Sequence, residues 1–219
     1  MVEASLASLL GKASRPDQLE VLIAYDDDDE ISHEYFTGTG WQSFISQWPI
    51  EHREFRVGRW GYRALHKYIN MLAGHSKGKW IFFWSDDPLM ETDGWDDHVR
   101  INEDFIGLLH ITASNAPTYC SILPLFHRRW VELFGCVSPI NHADSWISDI
   151  CRDAKARKVI PVTVFHDRFE NSGNNRDETY EDKRRDMSKD SNIDYHTPES
   201  QQMRTEWVRV LQQDRAGSN

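Results

Sequence analysis

The chain has 219 residues, of which 39% are hydrophobic and 12% aromatic, and its formal net charge is −10. This share of apolar side chains excludes a disordered polypeptide, and the acidic balance argues against a broad electrostatic surface for nucleic acid. No apolar run is long enough to span a membrane, and no basic region precedes the apolar patch at residues 6–10. We therefore expect neither a membrane span nor a signal peptide.

The cysteines point to a reducing compartment. Cys120, Cys136 and Cys151 form no close pair and no metal-type spacing. Without a disulfide framework, they predict free thiols in a cytoplasmic protein.

The first elements predicted along the chain are a helix and a strand. Leu6, Leu9 and Leu10 form an apolar stripe at helical spacing, which predicts a helix over residues 3–13. Residues 19–25 are mostly apolar and predict a strand, which ends in an acidic run at residues 26–30. Such a run is usually a solvated loop, but its place after a strand makes Asp27 or a neighbour a candidate ligand contact.

The region before the most apolar stretch is harder to interpret. Residues 31–58 predict loops with a short helix near 41–47, and a glycine-led helix follows over 58–73.

The apolar stretch from Trp80 to Trp84 predicts a buried strand. Its large side chains do not alternate with polar ones, which favours a central strand of a parallel sheet covered on both faces. Asp86 and Asp87 follow at once, and Pro88 stops the strand. Carboxylates at the end of a parallel strand lie where open α/β sheets bind ligands, and their oxygens suit Mg²⁺ or Mn²⁺. The alternative is a solvated acidic loop.

The second half of the chain predicts further helices and strands. In chain order they are a helix at 94–102, strands at 105–112 and 119–123, helices at 126–134 and 142–156, and a strand at 159–165. The polar segment 171–196 predicts a mobile loop, either a plain linker or a lid that orders over a substrate. A helix over 197–214 then presents Met203, Trp207, Val210 and Leu211 on one face and is expected to dock on the domain.

Short motifs occur in a suggestive order. They are the strand with its acidic end at 19–29, the glycine-led helix at 58–74, Trp84-Ser-Asp-Asp87, His142-Ala-Asp-Ser-Trp146 and Phe165-His166. In this order they resemble the GT-A fold of nucleotide-sugar glycosyltransferases, particularly the family 2-like inverting enzymes. The resemblance implies a Rossmann-like α/β fold, with a mostly parallel central sheet flanked by helices, over residues 1–170. The polar loop 171–196 and the docking helix 197–214 would follow this catalytic domain.

The resemblance also implies a role for each matching residue. The nucleotide-sugar donor would be contacted by Asp27, Arg59, Gly61, Arg63 and Asp86. Asp87 and His166 would hold Mn²⁺ or Mg²⁺, which stabilises the leaving nucleoside diphosphate. Asp144 would be the base that activates an acceptor hydroxyl, with Asp149 in reserve. Direct attack of that hydroxyl on the sugar would invert the anomeric centre.

The chain departs from the family pattern in two ways. The family's first strand, which precedes the first helix, is missing, so we expect that it is absent or supplied by another segment or a partner chain. The metal motif reads Ser-Asp-Asp-Pro where the family has Asp-x-Asp, which still offers two carboxylates.

Alternatives to a glycosyltransferase are a nucleotidyltransferase and a non-catalytic nucleotide- or sugar-binding module. The acceptor class also stays open between a saccharide and a modified DNA base. Two basic clusters bear on the acceptor class. They are residues 127–129, and Arg152 with Lys155, Arg157 and Lys158. Either they are solvated helix faces or they contact phosphate groups.

Overall fold

The protein is a mixed α/β structure, seen in a computed structural model that describes residues 1–61, 64–115, 120–167 and 193–217. The helices in these ranges are α1 (Val2–Gly11), α2 (Glu30–Thr37), α3 (Thr39–Ile45), α4 (Leu65–His75), α5 (Trp95–Arg100), α6 (Arg129–Phe134), α7 (Ala143–Asp153), α8 (Ile193–His196) and α9 (Pro198–Gly217). The strands are β1 (Glu20–Asp26), β2 (Glu51–Val57), β3 (Trp80–Phe82), β4 (Pro88–Met90), β5 (Leu108–Ala113), β6 (Leu125–His127) and β7 (Arg157–His166).

The strands form two separate sheets. β1 and β2 pair in parallel, and the second sheet has the order β3-β6-β5-β7-β4. Within the second sheet only β5 and β7 are parallel, whereas β6 runs antiparallel to both β3 and β5, and β4 runs antiparallel to β7. The sheet is therefore mixed, where the sequence predicted a mostly parallel one.

The strand predicted at residues 80–84 is not central. β3 spans only Trp80–Phe82, lies at an edge of its sheet and pairs antiparallel with β6. Its apolar pattern is nevertheless explained, because both faces are covered. Trp80 and Phe82 pack against one core cluster and Ile81 against another. The pattern of apolar residues indicates that both faces of the strand are covered. It does not indicate whether both backbone edges of the strand are hydrogen-bonded to neighbouring strands.

Other differences lie where the sequence pattern is weakest. β2, in the region predicted as loops, reads Glu-His-Arg-Glu-Phe-Arg-Val and carries too many charges to predict a buried strand. β6 occupies the start of the helix predicted at 126–134. In the predicted strand at 119–123, the described residues 120–123 form no strand. The helix predicted from residue 58 begins at Leu65, after a loop in which Gly61 has a φ of +73°.

The C-terminal helix docks against α6 and α7. Trp207 stacks on Phe134 with ring centroids 4.1 Å apart, and Leu211 is fully buried. Arg129 holds the same helix by an ion pair to Asp214 at 2.6 Å. Met203, predicted on the docking face, is 39% exposed instead. Of the polar segment 171–196, residues 171–192 lie outside the described residues and 193–196 form α8.

A buried carboxylate fixes the connection between α1 and β1. Asp96, 2% exposed, accepts hydrogen bonds from the backbone N–H groups of Ser14 (2.7 Å) and Arg15 (2.9 Å) and pairs with Arg100 at 2.6 Å. Burial raises the pKa of Asp96, but these donors outweigh it and hold the pKa below its usual value. The ionised carboxylate is thus part of the folded structure.

Replacing Asp96 with alanine should lower the free energy of unfolding by about 3 kcal/mol or more, because buried donors lose their acceptor. Since the folded-state pKa is depressed, this stabilisation is present above the unfolded-state pKa and is lost as pH falls through the folded-state pKa. Urea unfolding of D96A and wild type between neutral and acidic pH should therefore show the difference shrinking toward low pH.

The matched control is Asp93→Ala. Asp93 pairs with Lys12 at 2.6 Å but its side chain is 87% exposed, so the loss should be below about 1 kcal/mol. Equal losses for the two variants would contradict the structural role of Asp96.

Candidate functional site

The antiparallel pairing of β4 with β7 brings together two residues that are far apart in sequence. Pro88 lies opposite His166 in the register, and the backbone N–H of Asp167 donates to the carbonyl of Asp87. As a result, the Asp87 Oδ2 atom lies 3.2 Å from His166 Nε2. Both side chains are largely buried, at 17% and 8% exposed. The two residues that the resemblance assigned to a metal ion are therefore in contact.

The Asp87 carboxylate is oriented by a second donor. The Ser85 hydroxyl donates to Asp87 Oδ1 at 2.6 Å. Burial raises the pKa of Asp87, but hydrogen bonds from His166 and Ser85 outweigh it and hold the pKa below its usual value. The carboxylate is thus held ionised in a shielded position, where a charge interacts more strongly than in water.

His166 is positioned through its backbone by Asn115. The Asn115 side chain accepts from the His166 N–H at 3.0 Å and donates to the His166 carbonyl at 2.9 Å. Asn115 lies just beyond β5, which runs parallel to β7, so this clamp sits where the two strands end. The sequence analysis did not identify Asn115, because an asparagine after a strand is common in loops.

α1 links this pair to the acidic run after β1. The Ser5 hydroxyl contacts the carbonyls of Ser85 (3.4 Å) and Pro88 (2.7 Å). Two residues earlier, Glu3 accepts from the Tyr35 hydroxyl on α2 at 2.6 Å. α1 therefore contacts both the Ser85–Pro88 segment and α2, the helix that directly follows the acidic run.

Most residues of the acidic run have structural tasks. Tyr68 donates to Asp26, Asp29 caps α2 through the Ser32 N–H at 3.0 Å, and Glu30 pairs with Arg56 at 2.6 Å. Asp27 is the exception: it is exposed, and within the described residues no hydrogen bond to its side chain is found, although its backbone bonds to Val57 and Arg56. Asp27 is thus the member best placed to meet a ligand.

Of the other predicted donor contacts, Arg59 lies beside this loop, whereas Asp86 lies in the loop after β3. Arg59 is exposed, 3.4 Å from Asp28 and 4.0 Å from Asp26. Gly61 has the positive φ that favours glycine, and Asp86 is exposed beside Asp87. Arg63 lies outside the described residues. Exposed Trp60 was not predicted. Its backbone N–H donates to the Tyr68 hydroxyl at 2.8 Å, and the rings of the two residues contact edge to face.

Asp144 lies in the first turn of α7, where the helix dipole stabilises a negative charge. It is half-buried, and its Oδ1 accepts from the backbone N–H of Ser145 at 2.7 Å. The reserve candidate, Asp149, is already engaged: Tyr195 of α8 donates to one carboxylate oxygen, and Arg152 pairs with the other at 2.7 Å. Its two oxygens serve structure, which leaves Asp144 as the better base candidate.

The start of α7 contacts the segment at Cys120 and Ser121. Ser121 N–H donates to the Ser148 hydroxyl at 2.9 Å, and Cys120 Sγ lies 3.9 Å from Ser145 Oγ. Cys120 follows Asn115 closely in the chain, at a separation of at most about 17 Å for an extended backbone. The first turns of α7 therefore contact Cys120 and Ser121, which follow β5 in the chain.

Three arginines of the basic clusters form contacts within the protein. Arg128 donates to the Gly78 carbonyl at 2.7 Å, Arg129 pairs with Asp214 and Glu132, and Arg152 pairs with Asp149 and Asp153. These contacts favour a structural role over phosphate binding. A shallow depression on α7 and α9, lined by Asp153, Gln201, Arg204, Thr205 and Val208, contains none of the predicted site residues.

Comparisons with known proteins add no family assignment. No protein-family model matches the sequence, and no curated protein matches it significantly. In the part of the chain that the structure describes, no helix is long and apolar enough to cross a membrane, and all three cysteines are free thiols.

Substituting Asn115 with alanine should lower the free energy of unfolding by about 1–3 kcal/mol, because the His166 N–H loses its acceptor. Denaturant unfolding measures this loss, and chemical shifts of the His166 ring should change as the clamp is released. Gln47→Ala is the control, since Gln47 also bonds a backbone carbonyl, at 3.0 Å, but is exposed; it should change stability by less than about 0.5 kcal/mol. An N115A protein as stable as Q47A would mean that the clamp contributes nothing.

Proposed function

We propose that the protein is a metal-dependent glycosyltransferase that moves a sugar from a nucleoside-diphosphate sugar to an acceptor hydroxyl with inversion. The observation that carries the proposal is the buried Asp87–His166 pair, with 3.2 Å between Oδ2 and Nε2. It supports the proposal because the fold brings one carboxylate and one imidazole, far apart in sequence, into contact in a largely buried position. The motif resemblance supplies the reaction class.

The donor set at this pair fits a divalent cation. Asp87 offers an ionised oxygen ligand and His166 a ring nitrogen, a combination that Mn²⁺ accepts. Within the described ranges, no group of three metal-binding side chains is found. Ions of this kind are often bound by one or two side chains and complete their coordination with substrate phosphates and water. When bound, the ion neutralises charge on the departing diphosphate.

The donor contacts would come from the loop after β1. The exposed Asp27 carboxylate suits hydroxyl or amide donors of a nucleoside, and Arg59 suits a phosphate. Asp86, next to Asp87, would bond the ribose or a metal-bound water. In support of this arrangement, α1 contacts both the Ser85–Pro88 segment and the helix that follows the acidic run.

Asp144 would act as the base. Its position at the start of α7 stabilises the ionised carboxylate that must accept a proton from the acceptor hydroxyl. The activated hydroxyl then attacks the anomeric carbon on the face opposite the diphosphate, which inverts that centre. The acceptor, a saccharide or a modified DNA base, would approach from α7.

A binding module without catalysis is the second candidate. It is favoured by the hydrogen bond from the Ser145 N–H to Asp144, because this bond also explains Asp144 as a purely structural residue. The nucleotidyltransferase is disfavoured, because it needs a glycine-rich, basic phosphate loop after its first strand, and the loop after β1 is acidic.

A thermal-shift screen of nucleoside-diphosphate sugars with Mn²⁺ tests the proposal. One donor should raise the melting temperature only when the metal is present, since a ligand at about 100 times its Kd stabilises the native state by about 2.7 kcal/mol. In Asp87→Asn the joint shift should disappear because the anionic ligand is lost. Asp104→Asn is the control, as the Asp104 side chain is 95% exposed and pairs with Lys79 at 3.7 Å.

No shift with any donor would contradict the proposed function. An equal shift in D87N and wild type would remove Asp87 from the metal site.

Asp144→Asn separates catalysis from binding. Asparagine keeps the size and most of the capping ability but cannot take up the proton, so transfer should fall by on the order of 10²-fold or more while donor binding persists. Transfer is measured per folded molecule with the donor found in the screen. In Asp149→Asn, the contacts to Tyr195 and Arg152 weaken, so stability should fall and transfer should persist. Transfer intact in D144N would favour the binding module or another base.

A further inference from the structure

The turn between α7 and β7 holds a lysine in an unfavourable backbone conformation. α7 ends in a Schellman motif, in which the Ala156 N–H donates to the Cys151 carbonyl at 2.7 Å and the Lys155 N–H to the Arg152 carbonyl at 3.1 Å. Lys155 has a φ of +54° and is the one described residue other than glycine with a positive φ. Glycine adopts this conformation without steric cost, whereas lysine is strained. Strain of this kind is often retained where a side chain has a function.

Lys155 and two of its neighbours are cations without a counter-charge. Lys155 and Lys158 are exposed and Arg157 is half-buried, and no ion pair joins these three side chains to any carboxylate in the described ranges. The Arg157 Nε atom is buried without a hydrogen-bond partner. Elsewhere, by contrast, Lys12 and Arg56 pair with carboxylates at 2.6 Å. A half-buried, unpaired guanidinium is costly, and a bound anion would offset that cost.

Arg215 of α9 brings a fourth cation to this turn. Its guanidinium donates to the carbonyls of Ala154 at 3.3 Å and Lys155 at 2.6 Å. Burial raises the pKa of the Cys151 thiol, and the charges of Arg215 and Arg157 act in the opposite direction. Both guanidinium groups therefore lie within electrostatic range of the same buried thiol.

The carboxylates that flank these cations in the sequence are already paired. Asp153 pairs with Arg152 at 2.9 Å, and Asp214 pairs with Arg129 at 2.6 Å. The turn is therefore locally positive, although the net charge of the chain is −10. It is also remote from the candidate site. Arg157 begins β7 and His166 ends it, which separates them by about 30 Å along the strand.

We propose that the turn at Lys155–Lys158, together with Arg215, binds a phosphate group at a site separate from that of the proposed transferase. The planar guanidinium of Arg157 suits two phosphate oxygens, and the lysines add compact positive charges. One phosphate group fits better than a nucleic acid, because the four cations occupy a single turn and one helix end, and the rest of the acidic chain repels a polyanion. The group is either free phosphate or the phosphate of a small ester, since both present the same oxygens.

An NMR titration with inorganic phosphate at low ionic strength tests the proposal. The backbone amides of residues 155–158 should shift with a Kd on the order of 1 mM, which corresponds to about 4 kcal/mol. The ring of His110 gives a second signal. His110 is 6% exposed, and its burial, followed by the charge of Arg157, lowers its pKa to about 4. A bound anion offsets the charge of Arg157, so phosphate should raise the pKa of His110.

Lys155→Gly separates binding from folding. Glycine relieves the strain, so the melting temperature should rise by about 2–4 °C. Phosphate binding should nevertheless weaken about threefold, because one exposed charge is lost. Arg157→Gln should weaken it by about tenfold or more. The matched control is Lys67→Ala, which removes one exposed cation of α4 that also has no ion pair among the described residues; its phosphate binding should equal that of wild type.

Two further probes distinguish the sources of the phosphate group. Glycerol 3-phosphate that binds as tightly as inorganic phosphate identifies the phosphate group alone as the ligand, and tighter binding of the ester identifies a small organic phosphate. A short single-stranded oligonucleotide should bind no more tightly than these. An oligonucleotide that binds this turn when inorganic phosphate does not would overturn the proposal in favour of a nucleic-acid surface.

The proposal would also be overturned by amides at 155–158 that stay unshifted far above the expected Kd, or by K155G and R157Q proteins that bind phosphate like wild type. Asp87→Asn should leave these shifts unchanged. The outcome is therefore independent of the proposed transferase activity, which needs Asp87 and a metal ion.

Discussion

The candidate site depends on the antiparallel pairing of β4 with β7. Three residues of β4 are enough to set Pro88 opposite His166, and this register brings the preceding Asp87 against the histidine ring. Asn115 then fixes the His166 backbone from the end of β5. Without this pairing, Asp87 in its loop and His166 on its strand would move independently of each other. The pairing removes that freedom before any ligand binds, which lowers the entropic cost of binding.

The sequence predicted the elements of the fold better than their arrangement. Helical spacing of apolar residues located α1, α7 and the C-terminal helix, and a mostly apolar run located β1. The run at 80–84 was correctly interpreted as apolar on two faces, yet β3 is an edge strand. Pairing partners and strand direction depend on distant residues, so a local pattern cannot report them. The charged strand β2 was missed because its side chains remain partly solvated and show no apolar pattern, although its backbone pairs with β1 along its whole length.

The same limit applies to the site. Asp87 and His166 were identified as a pair through motif order, and the structure brings them into contact. Most members of the acidic run cap a helix, form ion pairs or accept hydrogen bonds, and a ligand contact of Asp27 stays a prediction. Asn115 acts by bonding the His166 backbone, and Tyr195 acts by bonding the Asp149 carboxylate. Neither role has a sequence signature. Residues that support a site are visible only once the chain has brought distant segments together.

The central claim is that Asp87 and His166 jointly hold a divalent cation that carries a nucleoside diphosphate. The most direct measurement is an anomalous-difference map from crystals grown with Mn²⁺ and a nucleoside diphosphate. The account predicts a manganese peak about 2.0–2.3 Å from both the Asp87 carboxylate and a His166 ring nitrogen, bridged to the diphosphate. A bound diphosphate whose metal lies elsewhere, or an Asp87–His166 contact that stays intact with no peak beside it, would contradict the account.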